Sequence, residues 1–261
     1  MADRTIETAV AELLRRERDR EDGGKVTERW PDLDLGTAYR IQDAVLDRKV
    51  RDGETVVGVK LGLTSRAKQR RMGVDVPLTG WLTDAMTMAP GELAPVGRLI
   101  HPRAEPEIAF IMGERLSGPG VTAERAMRAV ASVHAAFEVI DSRFRDFDFT
   151  LPDVVADNAS SSRFVISARA VPPDGLDLAA EECRLDVDGR TVDTATGAAV
   201  LGHPANALAL AANELAGRGK AIEPGWIVLT GGLTDAHPLR AGGTLCAEFA
   251  SLGALSLTGT T

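Results

Sequence analysis

HPRAEPEIAFIM, residues 101–112, joins two acids and a proline to an unbroken apolar run. The run IAFIM is the pattern of a core strand, and a strand is expected over 106–113. Glu105 and Glu107 are two apart, so on an extended chain both side chains leave the same face. Pro106 fixes an extended backbone and donates no hydrogen bond, which points to a sheet edge or a bulge.

Outward from this strand the texture differs on the two sides. Downstream, short apolar stretches separated by Gly and Pro predict strands near 135–141, 163–168, 183–188, 226–230, 244–250 and 253–258. Asp188-Gly189 between alternating stretches predicts a tight hairpin. Two helices interrupt the strands, at about 122–131 and 204–217, the second ending at Gly219. Upstream, Ile6, Val10, Leu13 and Leu14 have helical spacing over 5–20. A second helix starts at the N-cap Asp34, carries Ala38, Ile41 and Val45, and stops at Gly53. A strand over 55–61 follows, then a helix from Ser65 to Gly73. Strands and helices do not alternate, which excludes a doubly wound sheet. The expected class is α+β, a helical N-terminal part packed on a β-rich body.

A third acid, Glu138, lies in the apolar stretch AAFEVID. A lone buried carboxylate is costly unless paired or metal-bound. Three carboxylates with water form a hard-oxygen set suited to Mg²⁺ or Mn²⁺ rather than zinc. Taken alone, Glu-x-Glu also fits a solvated strand face. In VVGVKLGLTS the alternation puts Lys60 on one face with Gly58 and Gly62, leaving room for a ligand. A lysine snorkelling from an edge strand fits the same pattern. DNASSSRF (157–164) and LTGGLTDAHP (229–238) can offer hydroxyls and backbone N–H groups to a carboxylate, as can many loops. His203-Pro204 reads as a helix start. No nucleotide-binding glycine pattern, metal-type histidine spacing or nucleophile–histidine pair stands out.

The formal net charge of −8, with basic residues scattered among acids, argues against nucleic acid. An anionic ligand would need local positive charge. No apolar run approaches the roughly 20 residues of a membrane span, and the charged N-terminus lacks a signal-peptide core. Two isolated cysteines suit a reducing compartment, so a cytoplasmic location is expected.

Taken in order, six segments are similar to one known group. They are GVKLGLTSRAKQRRMGVDVPLTGWLTDAM (58–86), IHPRAEPEIAF (100–110), FEVIDSRFRDFDF (137–149), DVVADNASSSRFV (153–165), VLGHP (200–204) and VLTGGLTDAHPLRAGG (228–243). They resemble the hydratase/decarboxylase branch of the fumarylacetoacetate hydrolase superfamily, from about residue 25 to the end. The branch holds vinylpyruvate hydratases, 4-oxalocrotonate decarboxylases and relatives in meta-cleavage of aromatic rings. EVIDSRFRDFDF, VVADNASSSRF and TGGLTDAHP look like the decarboxylating members.

The resemblance implies a fumarylacetoacetate hydrolase-like mixed β-roll: one domain over 1–261, mainly helical over 1–75 and a β-rich catalytic body over 76–261. It implies Mg²⁺, with Mn²⁺ as the alternative, held by Glu105, Glu107 and Glu138. Lys60 and Asp157 are the implied catalytic residues; Leu61, Ser160, Ser161, Thr230 and Gly231 are implied to bind substrate. The implied reaction is decarboxylation of a small 2-oxo dicarboxylate, 2-oxohex-3-enedioate, through a metal-stabilised dienolate. The main alternative is hydration of 2-oxopent-4-enoate. C–C bond hydrolysis, oxaloacetate decarboxylation and a non-catalytic partner role are more distant ones. A homo-oligomer and a complex with a vinylpyruvate hydratase are the implied partners, with neither nucleic acid nor membrane.

Overall fold

The computed structural model describes residues 2–65, 69–70 and 77–261. Helix α1 (Ala2–Asp19) buries Ile6, Val10 and Leu13, the spacing expected of one apolar stripe. After the single turn α2 (Val26–Arg29), helix α3 (Leu35–Arg51) begins where Asp34 accepts the Thr37 N–H at 2.6 Å. It buries Ala38, Ile41 and Val45, and it ends before Gly53, whose φ of 110° no β-carbon tolerates easily. The helix expected from Ser65 to Gly73 lies mostly outside the described residues. Within it, Gln69 and Arg70 are helical and Gln69 N–H donates to Ser65 O at 2.9 Å.

The strands are β1 (Val56–Gly62), β2 (Leu78–Thr83), β3 (Thr87–Met88), β4 (Ala94–Pro95), β5 (Arg103–Met112), β6 (Val130–Ile140) and β7 (Ser161–Ile166). They continue as β8 (Glu182–Val187), β9 (Arg190–Thr196), β10 (Ile227–Leu229), β11 (His237–Pro238), β12 (Thr244–Phe249) and β13 (Gly253–Thr260). Helix α4 (Ala123–Arg128) precedes β6, α5 (Leu151–Ala156) precedes β7, and α6 (Pro204–Gly217) precedes β10. His203 starts α6, its Nδ1 accepting the Ala205 N–H at 3.0 Å. At the β8–β9 turn, Asp188 and Gly189 both have positive φ, as a two-residue hairpin requires.

Two sheets result. The larger runs β2-β1-β10-β5-β6-β7-β3, with β11 beside β5; the smaller runs β4-β13-β12-β8-β9. The architecture is α+β, with mixed sheets and a helical N-terminal region. One face of the larger sheet carries Val59, Leu61, Ile108, Phe110, Phe137 and Val139. These join a core with Leu208 and Leu215 of α6 and Leu185, Leu245 and Leu257 of the smaller sheet. β1, expected as a strand over 55–61, is an inner strand of that sheet.

Pro106 is not at a sheet edge. β5 is an inner strand, hydrogen-bonded to β6 on one side and to β10 and β11 on the other. Between β10 and β11 the ladder is interrupted, and residues 230–236 cross the gap. Pro106 O accepts the Leu233 N–H there, at 2.9 Å. A residue's N–H and C=O leave a strand on the same side, so the missing donor of Pro106 falls in this gap.

Helices α1, α3 and α5 pack around Phe144 as a second apolar cluster. Buried Asp153 joins this layer together: it accepts from Thr27 N and Oγ1 at 2.9 and 2.8 Å, and from Thr150 N and Oγ1 at 2.9 and 2.6 Å. Among the described residues, no helix is long and apolar enough to cross a membrane. Replacing Asp153 with Ala strands these donors, and should lower unfolding free energy by at least about 3 kcal/mol, measured by urea titration.

Candidate metal and substrate site

Alternation along β5 sends Arg103, Glu105 and Glu107 to the face opposite the large core. Glu138 of β6 sits directly across from Glu105 in the strand register. The three glutamates are buried, and one carboxylate oxygen from each lies within 4.8 Å of the others. Lys60 reaches them from β1, its Nζ 2.9 Å from Glu138 Oε2. Gly80, facing Lys60 across the β1–β2 pair, leaves space for the lysine stem: a β-carbon there would lie 3.3 Å from Lys60 Cδ. Of the two glycines beside the lysine, Gly62 lines the ligand cavity. Gly58 instead allows Ile227 O to approach closely.

The gap-crossing segment completes the cluster. Thr230 Oγ1 donates to Ile108 O at 2.8 Å, which anchors the turn. Gly231 then takes a φ of 112° and donates its N–H to Glu107 Oε2 at 2.7 Å. Gly232 lies against Glu105, so that an added β-carbon would overlap Glu105 Oε2. On the other flank, Ser161 Oγ donates to Glu138 Oε1 at 2.8 Å. Glu107 Oε1 is fully buried and has no hydrogen-bond partner among the described residues. A buried carboxylate oxygen left bare is costly, and here it points among two other acids. The donor set, three carboxylates and no sulfur or imidazole, fits a hard divalent cation.

Burial, then the Glu138 and Glu105 charges, hold the Glu107 carboxyl well above its ordinary 4.5; Lys60 and the Gly231 N–H oppose the shift. Burial also raises Glu138, with Lys60 opposing and Glu105 adding. The acids therefore repel in a dry site where charge is weakly screened.

Beside them opens a cavity of about 310 Å³, within the range of small-molecule sites. Leu63, Leu78, Phe149 and Val154 supply apolar wall; Lys60, Arg103, Glu105 and Asp235 supply charge. Ser160 lines it. Ser161 and Gly231 instead contact the acids. Thr230 turns its hydroxyl to the β5 backbone.

Two expected residues fall elsewhere. Leu61 alternates away from Lys60 into the large core and does not line the cavity. Asp157 does not face the cavity either. Its carboxylate pairs with the buried Arg143 guanidinium and accepts from Ser160 Oγ and Arg143 N, each at 3.2 Å. Burial pushes it up to about 6 against the pull of Arg143. Arg143 also donates to Asp141 O at 2.7 Å and to Ser161 O at 3.3 Å, so the pair shapes the serine turn from behind. Arg103, Gly232 and Arg143 were not singled out in the sequence. Arg103 had a signal, because it continues the alternation of Glu105 and Glu107.

A family model described as "Fumarylacetoacetate (FAA) hydrolase C-terminal" matches residues 55–258. The chain belongs to the fumarylacetoacetate hydrolase family. Curated relatives resemble it over three quarters of its length or more. A 4-oxalocrotonate decarboxylase of Pseudomonas sp. (strain CF600) is 40% identical over 249 residues, 95% of this chain and 94% of that protein. A 2-hydroxypent-2,4-dienoate hydratase of Pseudomonas putida is 43% identical over 197 residues, 75% of this chain and 89% of that one. The solved 4-oxalocrotonate decarboxylase from Pseudomonas putida G7, complexed with magnesium and adipate, superposes with a TM-score of 0.96. It is 36% identical, and the match covers 99% of this chain and 98% of that one.

Two measurements test the cluster. A carboxyl raised in the fold binds more protons there than in the unfolded chain. Metal-free stability from Glu107 and Glu138 should therefore fall as pH rises above their ordinary 4.5. Added Mg²⁺ should bind more tightly, and restore more of the melting temperature, as pH rises, with proton release seen by calorimetry in two buffers. Gly232→Ala should displace only the flexible end of Glu105, weakening Mg²⁺ affinity about tenfold or more while leaving the urea midpoint nearly unchanged.

Proposed function

We propose that this chain is a cation-dependent carboxy-lyase that converts 2-oxohex-3-enedioate (4-oxalocrotonate) to 2-oxopent-4-enoate, or its 2-hydroxy-2,4-dienoate form, and CO₂. The observation that carries the reading is the buried carboxylate cluster, with Glu107 Oε1 bare, opening beside a cavity that also holds Lys60. The decarboxylases of the same family, one of them solved with magnesium and a six-carbon diacid, support it.

Loss of CO₂ from C6 leaves an electron pair at C5, which spreads through the C3=C4 double bond to the oxygen at C2. The barrier depends on how well that growing negative charge is stabilised. Glu105, Glu107 and Glu138 would hold Mg²⁺, with Mn²⁺ as the alternative, and the ion would supply Lewis-acid charge to the C1 carboxylate and C2 oxygen. Lys60 places an ammonium against the cluster and in the cavity wall, so it carries both positive charge and a transferable proton to the reacting chain. The apolar walls exclude water and keep those charges weakly screened. Ser160 orients the substrate, the Gly231 N–H holds Glu107 in place, and Asp157 acts through Arg143 as a positioning residue. The same reading extends to cytoplasmic aromatic-ring catabolism, a homo-oligomer and association with the hydratase that consumes the product.

A second reading is favoured by the 43% identity to a hydratase: water added to the five-carbon dienoate in the same site. Assaying both activities in parallel, with and without Mg²⁺, separates them. Mg²⁺-dependent CO₂ release from the six-carbon diacid is the expected result; hydration without CO₂ release establishes the second reading instead. Lys60→Met should lower kcat about a hundredfold or more, while calorimetry still shows Mg²⁺ bound. Full turnover in that variant removes Lys60 from the mechanism.

A further inference from the structure

We propose that Arg103 is the specificity residue of this cavity, a guanidinium that receives the distal carboxylate of a dicarboxylic substrate. The proposal rests on the reading above for the position of the 2-oxo acid end and concerns what lies at the other end. Arg103 stands on the same face of β5 as Glu105 and Glu107, opposite Ile140 of β6. A strand advances about 3.4 Å per residue, so successive same-face positions are about 7 Å apart. An extended chain covers about 3.5 Å in three bonds, so the five bonds from C1 to C6 span about 6 Å. One step along β5 from the cluster therefore matches the length of a six-carbon diacid.

The guanidinium is held in place before any ligand arrives. It lies 4.6 Å from the centroid of the Phe147 ring, and that ring is backed by His101 at 4.8 Å. Stacking on the ring leaves the planar edge of the guanidinium free to grip a carboxylate with two parallel hydrogen bonds. Arg103 lines the cavity and forms no ion pair among the described residues. Lys60, the other cation lining the cavity among the described residues, is already committed to Glu138 at the inner end. The chain's net charge of −8 gives an anion no general attraction, and Asp235, also in the wall, repels it. A local cation is what makes a second carboxylate tolerable here.

The distal carboxylate loses its charge as CO₂ departs. Its pairing with Arg103 thus strengthens the bound substrate rather than the transition state, and the effect belongs in KM.

The test compares 2-oxohexanedioate with 2-oxohexanoate, a pair differing only in the distal carboxylate, as ligands of the Mg²⁺-loaded protein by calorimetry. Wild type should favour the diacid about ten- to a hundredfold. Arg103→Gln should abolish the preference without weakening the monoacid, Arg103→Lys should restore part of it, and Asp235→Asn should increase it. With 2-oxohex-3-enedioate, Arg103→Gln should raise KM by a similar factor and leave kcat unchanged or higher. A diacid preference that survives in Arg103→Gln overturns the proposal. Absence of CO₂ release in wild type that still prefers the diacid would overturn the proposed reaction and leave Arg103 in this role.

Discussion

Three buried acids repel one another on adjoining strands, and much of the surrounding structure answers that repulsion. Among the described residues, the partners seen on Glu138 and Glu107 are donors or cations: the Lys60 ammonium on Glu138, the Ser161 hydroxyl on the same group, and the Gly231 N–H on Glu107. None of these is in sequence proximity to the acids it serves. Each arrives because the larger sheet places β1, β7 and the segment after β10 around β5 and β6. What the described residues provide still leaves Glu107 Oε1 bare. The fold is built to receive one more positive charge.

Support for that arrangement comes from outside the cavity. Arg143 and Asp157 brace the serine turn from behind, and Asp153 ties the helical layer to the strand of chain leading into it. Buried pairs of this kind contribute little net stability against well-packed apolar groups, but losing one partner is costly. Their use here is to fix where Ser160 and Ser161 stand.

Much of this was legible in the sequence where a pattern of period two or a local cap was involved. Alternation placed Glu105 with Glu107 and Lys60 with its glycines, Asp34 marked a helix start, and Asp188-Gly189 marked a hairpin. The parts that escaped depend on contacts distant in sequence. Leu61 was implied in the cavity by resemblance, although its parity puts it with Val59 in the core. Asp157 was implied as catalytic by the resemblance, and its pairing with Arg143, which does not line the cavity, shows where its carboxylate points. β2 is buried along its whole length and shows no alternation to detect. α5 has six residues, too few for a periodic signal, and contains a proline. Pro106 gave the right local constraint and the wrong position, since a donor can be dispensed with inside a sheet where the neighbouring strand is broken.

That break in the ladder has an evolutionary meaning. Residues 230–236 are tethered at both ends, by β10 and by β11, and between those strands they reach β5 through the Thr230 and Leu233 N–H groups without forming a regular ladder. Changes in this span can reshape the wall around the acids without sliding either strand, because register is fixed on both sides of the opening. A family that varies its chemistry while keeping one scaffold needs such a place, and an imino acid opposite the opening keeps it from zipping shut.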